Sequence, residues 1–550
     1  PRPGSEDLNP EQNIILREGN LIDQSFLDKK NLFEIKGSIS GRHPFTTVFC
    51  RDQKTILLNP VTPFTEGETV IVTIHDGLVR ADGKSVEGLT FHFKIHRKYS
   101  EDEKQQLVAA QEEVWEKEFG RQHSENNGSK EEPGSKGLPP LYITTNTNPT
   151  PGDLFFHNYN FFGIESGHHS IINNDGDSIF SRGGNDRGWD FKINHNGYIT
   201  MFNKKGAYFE RYDSSYNKLD IFKTQNGYLT DIHEFLIFPD GHYFLQAYEY
   251  QIKDLTIYDP TYNPHATVAG LIIQEFDTDK NLIFQWRSWD HIDIIEAPHE
   301  HFTNTVVDYV HGNSQEQDAD GNLVISCRHL DQINKINLAT GEFMWRLGGI
   351  KNQFTFINDP EPFNYQHDCR VLPNGHITLF DNGNYHTIPT SYAREYALDL
   401  TNMTATLVWN YKHPKVAGAD VVGWALGSVQ RFPNGNTLIN WGYIYPDTQF
   451  PNVTEVDSNN NIVWEMRLNN KNDDVIYRAH KYDWTPCARP TGFKMKVTEI
   501  TYFSAKLVWG PATGATSYNI QYRQITNSNW ITQHASYLVS WKKLNQLVDD

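Results

Sequence analysis

No run of about 18 apolar residues occurs in the sequence, so no transmembrane helix is expected. Cysteine is scarce. The four thiols, Cys50, Cys327, Cys369 and Cys487, show no Cys-x-x-Cys spacing, which argues against a structural zinc site. Cys327 and Cys369 either pair or remain buried thiols acting as small hydrophobes. Positive charge is in deficit: 49 Lys and Arg face 68 Asp and Glu, for a formal charge of −19. Long-range repulsion then disfavours nucleic acid or an anionic membrane surface as the main partner. A small anionic substrate stays open where cations gather locally. The chain starts at Pro1 without Met or a charged apolar leader, as expected of a mature, processed or trimmed product. The location expected on this reading is secreted, cell-surface or periplasmic.

What is present points to β-structure. Aromatics reach 13%, and 39 Gly recur in Asn-Gly and Asp-Gly pairs that join short strands, so the expected class is all-β. Residues 1–97 hold alternating segments such as Thr69-Val70-Ile71-Val72-Thr73-Ile74 and read as a small β-sandwich. The stretch from Asn59-Pro60 to Pro63-Phe64-Thr65-Glu66-Gly67-Glu68 resembles bacterial immunoglobulin-like modules. Residues 98–140 read as a helix and a linker. Leu107, Val108, Val114, Trp115 and Phe119 recur at helical spacing behind Ser100, a cap residue, and the polar run from Arg121 to Pro140 buries too little to order itself.

From about Leu141 one unit repeats: an apolar strand, a glycine turn, a second apolar strand. The turns fall at Asp175-Gly176, Asn196-Gly197, Asp240-Gly241, Asp320-Gly321, Asn374-Gly375 and Asn434-Gly435. Trp286, Trp345, Trp409 and Trp464 close later strands of the same units. The turns after the first pair are spaced by about 45 to 80 residues, the scale of four-stranded blades with insertions, and a six-bladed β-propeller over residues 141–487 is expected. In residues 488–550, Leu507-Val508-Trp509 and Tyr518-Asn519-Ile520-Gln521-Tyr522 resemble a fibronectin type III domain that is truncated or only partly family-like.

Innermost propeller strands converge on a central channel, so their first residues are the place to look for a site. Seven residues before each turn stand His168, Trp189, His233, Asn313, His367 and Gly427, with His311 two before Asn313. A single histidine among 23 is ordinarily a satisfied polar residue. Three at matching places, beside Asn313 and Arg328, point to chemistry instead.

Five ordered motifs carry a resemblance. Asp231-Ile232-His233-Glu234-Phe235, His311-Gly312-Asn313-Ser314 with Ser326-Cys327-Arg328, Trp345-Arg346-Leu347-Gly348-Gly349, Gln366-His367-Asp368 and Phe380-Asp381-Asn382-Gly383 are similar to bacterial aryl-sulfate-dependent arylsulfotransferases. The resemblance implies transfer of a sulfuryl group from an aryl sulfate ester to a phenolic acceptor, through a sulfated histidine and without the nucleotide donor. It implies His367 as nucleophile, with His233, His311, Asn313 and Arg328 holding the sulfate and moving protons. No cofactor and no metal is expected.

The chemistry is coherent. A neutral imidazole attacks sulfur when its other nitrogen is held by an acceptor, for which Asp368 or a backbone carbonyl stands close in sequence. Arg328 offers a planar fork to sulfate oxygens, Asn313 a neutral donor, and His233 or His311 a proton for the leaving phenolate. Asn382, His386, Arg394 and Gln430 are further candidates for substrate contact, whereas Arg346 is expected to pair within a blade and Glu296 to Glu300 to be solvated surface. Two rival functions use the same scaffold. One is a polysaccharide lyase or hydrolase whose histidines hold a metal or abstract a proton, and the other is a glycan-binding cell-surface propeller without chemistry.

Overall fold

The computed structural model describes residues 1–29, 31–119, 140–160, 167–183, 188–444, 449–468 and 474–484. Beyond them it describes the strands Lys496–Thr501, Ser504–Val508, Ser517–Tyr522, Ile531–Ser536 and Trp541–Asn545. Among these residues the chain is all-β apart from one α-helix and short 3-10 turns. No helix among them is long and apolar enough to cross a membrane.

Between residues 141 and 482 the strands form six sheets of four or five strands each, antiparallel but for the parallel pairings of Val306–Asp308 with Ala266–Phe276 and of Thr355–Ile357 with Thr404–Tyr411. Five of the glycine turns join the first and second strands of a sheet, for example Thr230–Ile237 to Tyr243–Lys253 and His367–Val371 to Ile377–Asp381. Gly241 (φ 90°) and Gly375 (φ 81°) take the left-handed turn position that other residues resist. The tryptophans mark fourth strands, in Leu282–Arg287, Phe343–Gly348, Thr404–Tyr411 and Ile462–Leu468. Apolar clusters fill the spaces between sheets, among them one that joins Leu236, Leu271 and Trp286 to Leu323 and Ile325.

The two ends of this region interlock. Leu141–Asn146 completes the sheet of Ile462–Leu468, while Asp474–Tyr482 pairs with Asp153–Asn160 and becomes the first strand of that sheet. The ladder Asp474–Tyr482, Asp153–Asn160, His168–Ile172, Ser178–Gly183 therefore puts His168 in a third strand. The Asp175-Gly176 turn joins third to fourth, so counting back from it does not reach an innermost strand.

The first residues form two sheets, Ile14–Arg17/Thr55–Pro60/Phe45–Phe49 and Gly41–Arg42/Phe33–Gly37/Thr69–Ile74/Leu89–Lys94, over a shared core that includes Ile14, Ile35, Leu58, Val72 and Phe93. This unit is docked on the sheet of Thr230–Arg287. Arg287, 2% exposed, reaches Glu249 as well as the carbonyls of Glu6 and Asp7, and Cys50 and Leu57 pack on Ile283. The helix Glu101–Phe119 follows. Ser100 Oγ accepts from Glu103 N–H at 3.2 Å and Glu103 returns a carboxylate to Ser100 N–H at 2.8 Å, a reciprocal capping box. The linker from residue 120 to 139, Cys487 and Trp509 lie outside the described residues.

Candidate active site

The first strands of three sheets break register where the candidate side chains sit. Irregularities fall between Thr230 and Phe235, between Gly312 and Ser314, and between His367 and Arg370. The irregularity leaves one extra residue on the first strand at Gly312–Ser314 and at His367–Arg370, and three at Thr230–Phe235, without cross-strand partners. Backbone strain gathers at the same level: His311, Tyr365, Asp368 and Leu426 have φ of 48°, 53°, 53° and 64°. For Tyr and Leu this conformation is costly, and surrounding hydrogen bonds hold it in place.

His367 is 2% exposed. Its Nδ1 lies 2.7 Å from Asn382 Oδ1. Asn382 Nδ2 donates to the carbonyls of Gly423, at 2.6 Å, and Leu426, at 3.0 Å, so its amide can turn only the oxygen toward His367. Nδ1 must carry the proton. Nε2 keeps its lone pair, which faces the Leu426 N–H at 3.3 Å. The acceptor is thus Asn382 and not Asp368. Burial first, then Arg328, His311 and His233, hold the imidazole well below its usual pKa against the pull of Asn382, so it stays neutral. His367 is accordingly expected to take up no proton between about pH 5 and 7, where a free imidazole titrates. An NMR titration of the His367 ring protons checks this.

Around it stand two histidine–aspartate pairs. His233 Nδ1 is 2.8 Å from Asp231 Oδ1, His311 Nδ1 is 2.8 Å from Asp308 Oδ2, and the two rings meet edge to face at 5.1 Å. His329, which the motifs did not single out, stacks on His311 at 4.6 Å. Its Nε2 lies 2.9 Å from Arg328 Nη1, and its pKa is lowered to about 3 by burial, then by His311 and Arg328. Arg328 lies over the Tyr365 ring at 4.0 Å and donates to Trp424 O at 3.1 Å, which pins the guanidinium at the rim. Asp308, His311 and His329 offer ligand atoms within 4.8 Å of one another. The guanidinium against His329 Nε2 opposes a cation there, because it brings like charge and occupies the lone pair a metal needs.

Asn313 is fully buried. Its Nδ2 donates to Gln366 O at 2.8 Å, fastening the residue before His367. The Asn313 carbonyl accepts from Tyr477 Oη at 3.1 Å and from Arg478 Nη2, and Tyr477 Oη also donates to His233 O at 3.1 Å. One side of the ring therefore holds the backbone of two candidate residues in place.

A buried network of ion pairs adjoins these residues through Asp368. Asp368 pairs with Arg370 at 2.6 Å and Arg478 at 3.0 Å. Burial alone would raise its carboxyl, but Arg370, Arg478 and His480 outweigh burial and keep it well below the usual range. Arg370 also meets Glu234 and Glu316, Arg478 meets Asp190 and Glu234, and Lys192 bridges Asp190 and Glu234. The four carboxylates outnumber the three cations. Glu316 carries the imbalance: burial raises it, Arg370 pulls it down, Glu234 pushes it up again, and it rests at about 7. A carboxyl raised above its ordinary value of 4.5 gives stability that is full below that value and lost as pH rises through about 7. Glu316→Gln is expected to be more stable than the parent at about pH 8 by roughly 2–3 kcal/mol, with the gap closing toward acid pH, as read by denaturant melts.

The remaining candidates do not join His367. Arg394 pairs with Asp359 and Asp381 at 2.8 Å inside its sheet, His386 Nδ1 and Nε2 lie near the carbonyls of Thr390 and Pro362, and Gln430 exchanges hydrogen bonds with the backbone of Lys481. Their polar atoms are spent on holding strands together. Arg346 binds Glu296 and Gln332 within the fold. Glu296 is 6% exposed and Glu300 accepts from Tyr365 Oη at 3.1 Å, so this acidic stretch is not simply solvated surface. Cys327 and Cys369 are free buried thiols.

Fold and site together define an all-β protein whose sheets surround a neutral histidine, held in one tautomer beside an arginine. Residues 169–469 match the family model described as arylsulfotransferase (ASST), more than half of the chain. The chain belongs to the arylsulfotransferase family. No curated protein matches it. Among solved structures it is similar to a protein of unknown function from Bacteroides caccae, with 15% identity over 60% of this chain and 98% of that one (TM-score 0.38). It is also similar to a streptogramin B lyase, with 9% identity over 59% and 87% (TM-score 0.32), and to virginiamycin B lyase from Staphylococcus aureus, with 10% identity over 61% and 97% (TM-score 0.32).

Proposed function

We propose that this protein transfers a sulfuryl group from an aryl sulfate ester to a phenol through a sulfated His367, on a six-bladed propeller and without a nucleotide donor. The observation that carries the reading is the tautomer of His367: Nδ1–H on Asn382 Oδ1 leaves Nε2 as a neutral nucleophile in a buried site. In the first half-reaction Nε2 attacks sulfur, the S–O bond to the aryl group breaks, and the departing oxygen takes a proton from the His233 or His311 pair. In the second, a phenol oxygen attacks the same sulfur, the S–N bond returns its electrons to Nε2, and the phenol proton goes back to that pair. Arg328 meets charge on the sulfuryl oxygens at the rim, and the Leu426 N–H, displaced from Nε2 by sulfur, is left to donate to one of them. Local cations thus serve an anionic substrate inside an acidic protein.

The test is incubation with 4-nitrophenyl sulfate and phenol, with and without a chelator. Ping-pong kinetics, phenyl sulfate as product and indifference to chelator are expected. Absence of transfer across a range of phenols, or loss of activity on chelation restored by a metal, would sink the reading.

A further inference from the structure

Three members of the ion-pair network, Lys192, Glu316 and Arg370, also line a pocket of about 360 Å³. The first strand of every one of the six sheets contributes to it: Tyr482, Ile193, Leu236, Glu316 and Val429 lie on five of them, and Leu372 stands just past the end of His367–Val371. His367 opens that strand, so Leu372 belongs to the opposite end. The volume falls within the range of small-molecule sites, about 300–1,000 Å³. Its lining is one-sided in hydrogen-bonding character. Lys192, Arg370 and Arg431 bring cationic N–H groups, whereas Glu316 is the single carboxylate among the described residues that line it. Thr378 adds an independent sign. It lines the pocket and is fully buried, and among the described residues its Oγ1 has no hydrogen-bond partner. Leaving a buried hydroxyl unpaired is costly, so this atom points to a bound ligand. The register sets Thr378 between Arg370 and Glu395 as cross-strand neighbours, and Arg431 pairs with Glu395.

We propose that this pocket binds a small organic anion of the carboxylate class, with its charged end at Thr378 Oγ1 between Arg370 and Arg431 and its apolar body on Ile193, Leu236 and Val429. The inference goes beyond the sulfuryl-transfer reading and does not need it, since no residue of the pocket takes part in the chemistry at His367. Cationic side chains attract the anion, and the apolar wall favours an organic one over an inorganic ion. Glu316 makes the site sensitive to pH. The charged and titratable groups facing it are Arg370 at 3.3 Å, His195 Nε2 at 3.7 Å, Glu234 and Lys192. Burial, then Lys192 and Arg370, lower His195 to about 4, so it stays neutral where Glu316 titrates. Below about pH 7 the Glu316 carboxyl is protonated and the lining carries no negative charge. Above that pH its carboxylate repels an anion. Ligand and proton therefore bind together.

The test is calorimetric titration with benzoate, which is ionised throughout the range used. The parent should bind it at about pH 6 and about tenfold more weakly at about pH 8, the weakening expected when only the protonated Glu316 form accepts the anion. Glu316→Gln should bind equally at both. Thr378→Val keeps the shape and removes the hydroxyl, and should weaken binding about fivefold. Leu372→Trp, at a half-buried position, fills the pocket and should abolish binding. Thermal melts verify the folding of each variant. Arg328→Ala leaves the pocket intact and should bind as the parent does. No binding of benzoate by the parent at about pH 6 overturns the proposal, as does an affinity unchanged in both Thr378→Val and Leu372→Trp. Binding that disappears in Arg328→Ala and persists in Leu372→Trp places the anion at the rim beside His367 and overturns it equally. The readout is binding and not turnover, so a failure of sulfuryl transfer leaves this result standing.

Discussion

His367→Ala is expected to lose sulfuryl transfer by about four orders of magnitude or more, because a covalent carrier has no substitute among its neighbours. His233 and His311 are each committed through Nδ1 to an aspartate, and His329 has Nε2 against Arg328. None of them has the amide-held geometry of His367. Rapid mixing with an aryl sulfate should show a stoichiometric burst of phenol in the parent and none in the variant. Mass spectrometry of the quenched parent should find one added SO3 on the peptide that holds His367. The substitution also leaves a cavity behind the Leu426 N–H, and added imidazole should restore part of the turnover by occupying it. A full burst in His367→Ala would move the nucleophile elsewhere on the ring.

Much of this arrangement was legible because its causes are local. Glycine turns announce first strands wherever the next strand follows at once, and they led to His233, Asn313 and His367. The same signal failed at the ring's seam. Asp474–Tyr482 pairs with a strand some three hundred residues earlier, so its sheet partner does not follow it across a glycine turn, and the turn signal does not reach Tyr477 and Arg478. His168 was drawn in by a turn of the wrong rank. Asp368 was a reasonable partner for its neighbour His367 by sequence distance. Its left-handed backbone, however, sends the carboxylate down to Arg370 and Arg478, and the acceptor comes from Asn382, just past the end of the second strand. Which acceptor faces a ring nitrogen is decided by tertiary register, which neither spacing nor composition encodes.

Asn382 therefore carries the second large effect. Asn382→Ala is expected to lower kcat by about two to three orders of magnitude, the scale of losing a fixed imidazole tautomer, with a smaller change in donor KM. Two consequences follow from one amide. Without Oδ1 the proton is free to sit on Nε2, where it blocks attack. Without Nδ2 the carbonyls of Gly423 and Leu426 lose their donor, and the strained segment that faces the nucleophile loosens. Asn382→Asp separates these consequences. It keeps an acceptor for Nδ1–H but adds a negative charge that favours the imidazolium, so the His367 pKa should rise and an acid limb should appear toward neutral pH. A merely structural asparagine would lower activity in both variants without creating that limb. The double variant His367→Ala/Asn382→Ala should be no slower than His367→Ala alone, since the amide acts only through the imidazole it orients. An added loss would instead give Asn382 a direct hold on the substrate.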